Sequence, residues 1–114
     1  MDCEVIYMAT AIRKPVKTAA DLRRYASDAA ALLKALGNEQ RLSILCSLLE
    51  GPLSVGQINE RVDLSQSALS QHLAVLREGG LVETEKEAQT VYYSVPKGPA
   101  HKILETLKEI YCPR

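Results

Sequence analysis

Apolar residues recur at helical spacing along most of this chain and then switch once to alternation. From about Thr18 to Leu36, the positions Leu22, Tyr25/Ala26, Ala29, Leu32/Leu33 and Leu36 predict one amphipathic helix, with Gly37 as its stop. Asn38 suits the cap of a second helix over about residues 39–49, which Gly51-Pro52 ends. Ser54 with Gln57 three residues on has the capping-box pattern and opens a short third helix, about Val55–Arg61. Ser65 caps a fourth, running to about Arg77 or Glu78. After Gly79-Gly80 the period falls to two, and LVETEKEAQTVYYSV predicts two strands around a turn near Glu87-Ala88. Val91, Tyr93 and Val95 are expected inward, with Thr90, Tyr92 and Ser94 outward. Pro96, Gly98 and Pro99 break the strand, and a last helix of about residues 100–111 repeats Ile103/Leu104, Leu107 and Ile110/Tyr111. The expected architecture is mostly α with a small β-hairpin, in the order α-α-α-α-β-β-α.

The fourth helix has the most informative surface. At about 100° per residue, Ala68, Leu69, His72, Leu73, Val75 and Leu76 share one arc. Ser67, Ser70, Gln71 and Ala74 share the other, with Gln66 at its edge. An ordinary solvent face carries Lys and Glu, and an enzyme site needs a titrating group or a metal ligand. Short hydroxyls and flat amides instead suit base edges and phosphate oxygens. With the short helix before it and the hairpin after it, this is a helix-turn-helix followed by a wing. Ser67, Ser70 and Gln71 are the expected readers of base edges or nearby phosphates, with Gln66 touching the backbone. Lys86 and Gln89 fall nearest the wing tip, where Glu83, Glu85 and Glu87 surround the lysine and put the wing's attraction to DNA in doubt. His72, inside the apolar arc, is expected to be packed with a hydrogen-bond partner.

Composition narrows the rest. With 114 residues the chain is one small domain, and 14 basic residues balance 14 acidic ones. No global field holds nucleic acid, so any affinity for DNA comes from local placement and two-fold repetition. There is no Phe or Trp, so the core is expected to be aliphatic. No apolar run approaches the ~20 residues of a membrane span, and the N-terminal stretch lacks the apolar run of a secretory signal. Residues 1–17 show no sustained period and are expected to form a flexible arm ahead of a domain at 18–112. Met8 is an alternative start that would remove Cys3. Three Cys without an export signal fit a reducing cytoplasm.

The first and last helices each carry an apolar stripe that so small a body has little means of covering. Pairing them across a two-fold axis buries both and sets two reading helices one DNA turn apart, so a homodimer is expected. Cys46, one residue after Leu45, falls on the side of its helix expected to face the core, and Cys112 closes the last helix. On the residues alone, a small core side chain and a frayed end remain open readings of these two. Cys3 reads as an exposed thiol without a required role.

This order of elements, with NEQRLSIL, LSQSALSQHL and KEAQTVYYSV, resembles the ArsR family of winged-helix repressors. More narrowly, it resembles the HlyU/BigR/SqrR branch, over roughly residues 25–112. The resemblance implies homodimerisation through the first and last helices and binding to an inverted-repeat operator. It also implies a sensing pair formed by one Cys on the second helix and one at the end of the last helix. Cys46 and Cys112 occupy those places, with persulfide or another thiol oxidant as inducer. Family members that sense metals carry a Cys pair at the position of LSVGQIN, or Asp and His ligands along the last helix. LSVGQIN has no Cys, and the last helix offers only His101, expected exposed, and Glu105, too few for a closed zinc site unless a partner chain completes it, which leaves metal sensing as the runner-up. Neither a metal nor a cofactor is expected. An anti-silencing activator of the HlyU type is the alternative sense of regulation. A thiol enzyme is disfavoured, because there is no CxxC and no His near either Cys in sequence.

Overall fold

The computed structural model describes residues 18–112; the expected arm at 1–17, with Cys3, lies outside them. Among the described residues, six helices and three short strands follow in order: α1 (Ala19–Arg24), α2 (Ala26–Leu36), α3 (Glu39–Ser47), β1 (Leu53–Ser54), α4 (Val55–Arg61), α5 (Gln66–Glu78), β2 (Glu83–Glu87), β3 (Thr90–Ser94) and α6 (Pro99–Tyr111). Side-chain caps start four of the helices by accepting from backbone N–H groups that have no partner inside the helix. Thr18 Oγ1 accepts from Asp21 at 3.1 Å, Asn38 Oδ1 from Arg41 at 3.0 Å and Ser65 Oγ from Ala68 at 3.2 Å. Ser54 and Gln57 form the full reciprocal box at 3.2 and 2.9 Å, as their spacing predicts.

Two elements depart from the pattern. The single helix expected over 18–36 is broken at Tyr25, whose φ of −108° and ψ of 9° leave the helical region. Its N–H turns back to Leu22 O at 3.0 Å, a tighter i−3 step that no Gly or Pro announces. The expected hairpin is a three-stranded antiparallel sheet in the order β1-β3-β2. Leu53 pairs with Tyr93 and Ser54 with Tyr92, so the residue that caps α4 is also stitched to the wing. The central strand is covered on both edges only near its C-terminal end. Val95 is buried and Tyr93 half-buried as expected, but Tyr92 and Ser94 are half-buried rather than outward. Val91, expected inward, is exposed, because the hairpin projects past β1 and past the body there.

The core is aliphatic throughout. Ile44 and Leu45 from α3, and Leu48 at its C-cap, meet Ile58, Val62, Leu69, Leu73, Leu76, Leu81, Val82, Val95 and Leu104. Each such burial is worth roughly 1.5–3 kcal/mol. Most of this core belongs to α3–α5, the base of the wing and one face of α6. Helix α1 buries nothing and α2 buries only Leu36. A groove of about 940 Å³ runs along α2, the end of α5 and the start of α6, lined by Ala29, Leu32, Ala35, Val75, Leu81 and Pro99. Val75, placed by its spacing in the core arc of α5, is instead 56 % exposed, because α2 stands off and leaves it open in this groove.

Candidate nucleic-acid interface and thiol pair

The chain between α4 and α5 is short and held from inside. Asn59 Nδ2 donates to Leu64 O at 2.8 Å, fixing the backbone just before the Ser65 cap. Leu69, Leu73 and Leu76 anchor α5 at 0–2 % exposure, which turns Gln66, Ser67, Ser70 and Gln71 outward together, all exposed. The Ser65 and Ser67 hydroxyls lie 3.3 Å apart at the start of the helix. His72 is half-buried on the flank of α5 and pairs with Gln40 of α3, Nε2 to Oε1 at 3.0 Å. It has the partner expected of it and stands off the reading face.

Arg77 is a candidate that the sequence reading passed over. It is exposed, two helical turns after Ser70, and shares a shallow cleft with Ser70, Ala74 and Tyr93. The i, i+7 spacing carries that signal. Lys86 and Gln89 are both exposed, Gln89 in the two-residue turn and Lys86 on β2 opposite Val91. Side chains alternate across a strand. Lys86 therefore shares its face with Val91, Thr84 and Tyr93, while Glu83, Glu85 and Glu87 share the other face with Ser94, Tyr92 and Thr90. Tyr93 lines the cleft beside Ser70 and Arg77, so the lysine is on the side of the sheet facing the reading helix. The three glutamates flank Lys86 in sequence but not on its face.

At the other end of α3, Cys46 and Cys112 are both free thiols and both exposed. Cys46 was expected to face the core; Ile44 and Leu45 take the inward positions at 0 % exposure and leave it turned toward α6. Cys112 caps α6, its N–H bonded to Lys108 O at 2.8 Å, so thiol and ammonium lie one turn apart on the same helix. Partial burial pushes the Cys46 thiol above the ordinary value and Cys112 opposite adds to that, while the Lys108 charge pulls it back down. Cys46 thus lies within electrostatic reach of Cys112 and Lys108, on a helix that packs against α6. His101, expected exposed, has only 12 % of its side chain accessible, with Nδ1 3.5 Å from Glu105 Oε1. The first turn of α6 packs against the body, which is why the ring is covered. Among the described residues no group of three or more His, Cys, Asp or Glu gathers to hold a metal, and no helix is long and apolar enough to cross a membrane.

A capped helix pair, an uncharged polar reading face and a three-stranded wing beside it define a winged helix-turn-helix DNA-binding protein. Residues 38–84 match the model of the bacterial regulatory protein, arsR family. The chain is 51 % identical to the transcriptional activator HlyU of Vibrio cholerae over 92 residues, 81 % of this chain and 85 % of that one. It superposes on the solved structure of reduced HlyU from Vibrio cholerae with a TM-score of 0.75, covering 81 % of this chain and 97 % of that one, again at 51 % identity. The transcriptional repressor BigR from Xylella fastidiosa gives a TM-score of 0.78 at 36 % identity, covering 86 % and 100 %. The chain belongs to the ArsR family of bacterial transcriptional regulators. Proteins of this family are DNA-binding transcriptional regulators, and this chain is one of them.

Proposed function

We propose that the protein is a dimeric repressor that leaves its operator when Cys46 and Cys112 become bridged. The observation that carries this reading is that α3, which carries Cys46 and precedes the helix-turn-helix, packs against α6, which ends at Cys112, with both thiols free and exposed. One thiolate attacks the sulfane sulfur of a hydropersulfide RSSH, forming a protein persulfide and releasing RS⁻. The second thiolate then attacks the inner Sγ of that persulfide, forming the Cys46–Cys112 disulfide and expelling hydrosulfide. Overall the two thiols give up two electrons and two protons, and RSSH becomes RSH and H₂S. Hydrogen peroxide reaches the same disulfide through a sulfenic acid, yielding two waters.

A second copy is the occupant that best suits the uncovered stripes. Leu22, Leu33, Ile110 and Tyr111 are 56–78 % exposed on α1, α2 and α6, and the long apolar groove lies beside α2. Two-fold pairing there gives two reading heads, each with Gln66, Ser67, Ser70 and Gln71 for one major groove and with Lys86 and Gln89 over the adjacent minor groove. Bridging α3 to α6 changes the spacing of the heads, and a tenfold loss of affinity needs only about 1.4 kcal/mol. The reading belongs in a cytoplasm, with no cofactor. Because the similar HlyU is an activator, displacement of another DNA-bound protein is the second reading of the regulatory sign.

The test is operator binding by fluorescence anisotropy for reduced and persulfide-treated protein, with Cys46→Ser and Cys112→Ser alongside. The expected result is a loss of at least about tenfold on treatment of the wild type. Mass spectrometry should show a Cys46–Cys112 bridge in it, and both variants should remain bound. Equal binding by all forms returns the thiols to a packing role.

A further inference from the structure

We propose that Gln40 is a positioning residue for the reading helix, and that its hydrogen bond to His72 relays the state of the thiol pair to the DNA face. The relay rests on the thiol-switch reading; the positioning role does not.

Helix α3 is nine residues, a rod of roughly 13 Å. Gln40 is in its first turn and Cys46 in its last. Between them Ile44 and Leu45, both at 0 % exposure, wedge the helix into the core, so its ends move together. The N-terminal end is tied down twice. Asn38 caps it, and Arg41 reaches back to the end of α2, donating from Nε to Ala35 O at 2.8 Å and from Nη2 to Lys34 O at 3.3 Å. From this fixed end Gln40 Oε1 accepts from His72 Nε2 at 3.0 Å, across 32 positions of sequence. The fully buried side chains of α5, Leu69, Leu73 and Leu76, are all leucines. Apolar contacts are non-directional and tolerate rotation of the helix about its axis, whereas a hydrogen bond weakens steeply with angle and distance. His72 directly follows Gln71, so the bond sets the angle at which Ser70 and Gln71 meet the groove. A bridge at Cys46 that draws the far end of α3 toward α6 moves Gln40 as well, and a few tenths of an ångström take the contact out of good geometry.

The test uses the full chain and an inverted-repeat duplex selected from random DNA by the reduced wild type. Gln40→Met keeps length and helix propensity but removes the amide; Gln40→Glu keeps an acceptor oxygen and suits a helix first turn. Operator affinity is measured for each protein, reduced and after mass spectrometry has shown the bridge. Ring ¹⁵N shifts report the His72 tautomer. The expected outcome is that Gln40→Met loses the Nε2–H preference, binds about two- to tenfold more weakly when reduced, and narrows the reduced-to-bridged gap by a similar factor. Gln40→Glu restores all three, and the bridge forms equally in all. A Gln40→Met protein with wild-type tautomer, affinity and gap overturns the proposal. If the wild type binds alike in both thiol states, the thiol reading and the relay both fail, and the reduced-state affinity of Gln40→Met alone decides the positioning role.

Discussion

The two halves of this protomer are built to different standards of completeness. From α3 to the base of the wing, apolar positions other than Val75 are mostly covered: Ile44, Leu45, Ile58, Leu69, Leu73 and Leu76 are at 0–2 % exposure. The caps are made and the turn is bonded from inside. Helices α1 and α2 and the outer face of α6 repeat the same apolar spacing, yet Leu22, Leu33, Ile110 and Tyr111 stay open. Identical patterning thus gives a closed core in one half and an unfinished surface in the other. The reading half is folded by its own contacts, and the outer half takes its meaning from what is laid against it.

The sharpest way to break that contrast is to put charge on the open stripe. The double variant Leu33→Glu, Ile110→Glu touches no buried residue, so the thermal unfolding of the protomer should change little. Sedimentation should show a monomer, and operator affinity should fall by about 10²–10⁴, the usual worth of a second, tethered binding event. A double variant that stays dimeric, or a monomer that binds as tightly as the wild type, removes the two-head arrangement. The control is Leu69→Ala in the closed half, which should cost about 2–5 kcal/mol of stability by leaving a cavity.

The contrast also explains what was legible in the sequence. Asn38, Ser54 and Ser65 announce their helices because a cap is a local bond between near neighbours. Leu69, Leu73 and Leu76 announce the core because period 3.6 selects one face. Spacing says which residues share a face, not what covers it, so Val75 was placed inside and is open. Cys46 was likewise placed toward the core, where Ile44 and Leu45 leave it no room. His101 erred the other way, since its cover comes from elements distant in sequence. The break at Tyr25 has no Gly or Pro to mark it, and β1 is two residues long, too short to show a period. The two faces of the wing are legible in the sequence as well: the period of two in ETEKE separates Lys86 from its glutamates, a separation that charge summed along the chain hides.

A smaller effect tests the seam between the halves, where α3, carrying Cys46, packs against α6, carrying Lys108 and Cys112. Cys46 is held above the ordinary thiol value by burial and by Cys112, and Lys108 opposes both. Because only the thiolate reacts, the alkylation rate of Cys46 should rise with pH through that raised value. Lys108→Gln should move the profile to higher pH and slow iodoacetamide labelling at neutral pH by about twofold to fivefold, the scale of one partly screened charge. Cys112→Ser should move it to lower pH. Identical profiles in all three proteins would mean that the two helices do not meet at these side chains.

The smallest effect separates the two faces of the wing. If Lys86 works from the face it shares with Val91 and Tyr93, Lys86→Gln should lower the slope of log affinity against log salt by about one per chain that makes the phosphate contact. Affinity should fall about equally on all sequences, because a phosphate contact carries no base information. Glu85→Gln changes a charge of the opposite sign only one residue away, but on the far side of the strand. Its influence on the slope should be less than half that of Lys86→Gln, since it neutralises no phosphate and displaces no counterion. Equal and opposite slopes would mean that DNA senses the wing as an averaged charge, and the face-by-face reading of β2 would be lost. Unequal slopes would locate the duplex on the Lys86 side, next to Ser70 and Arg77.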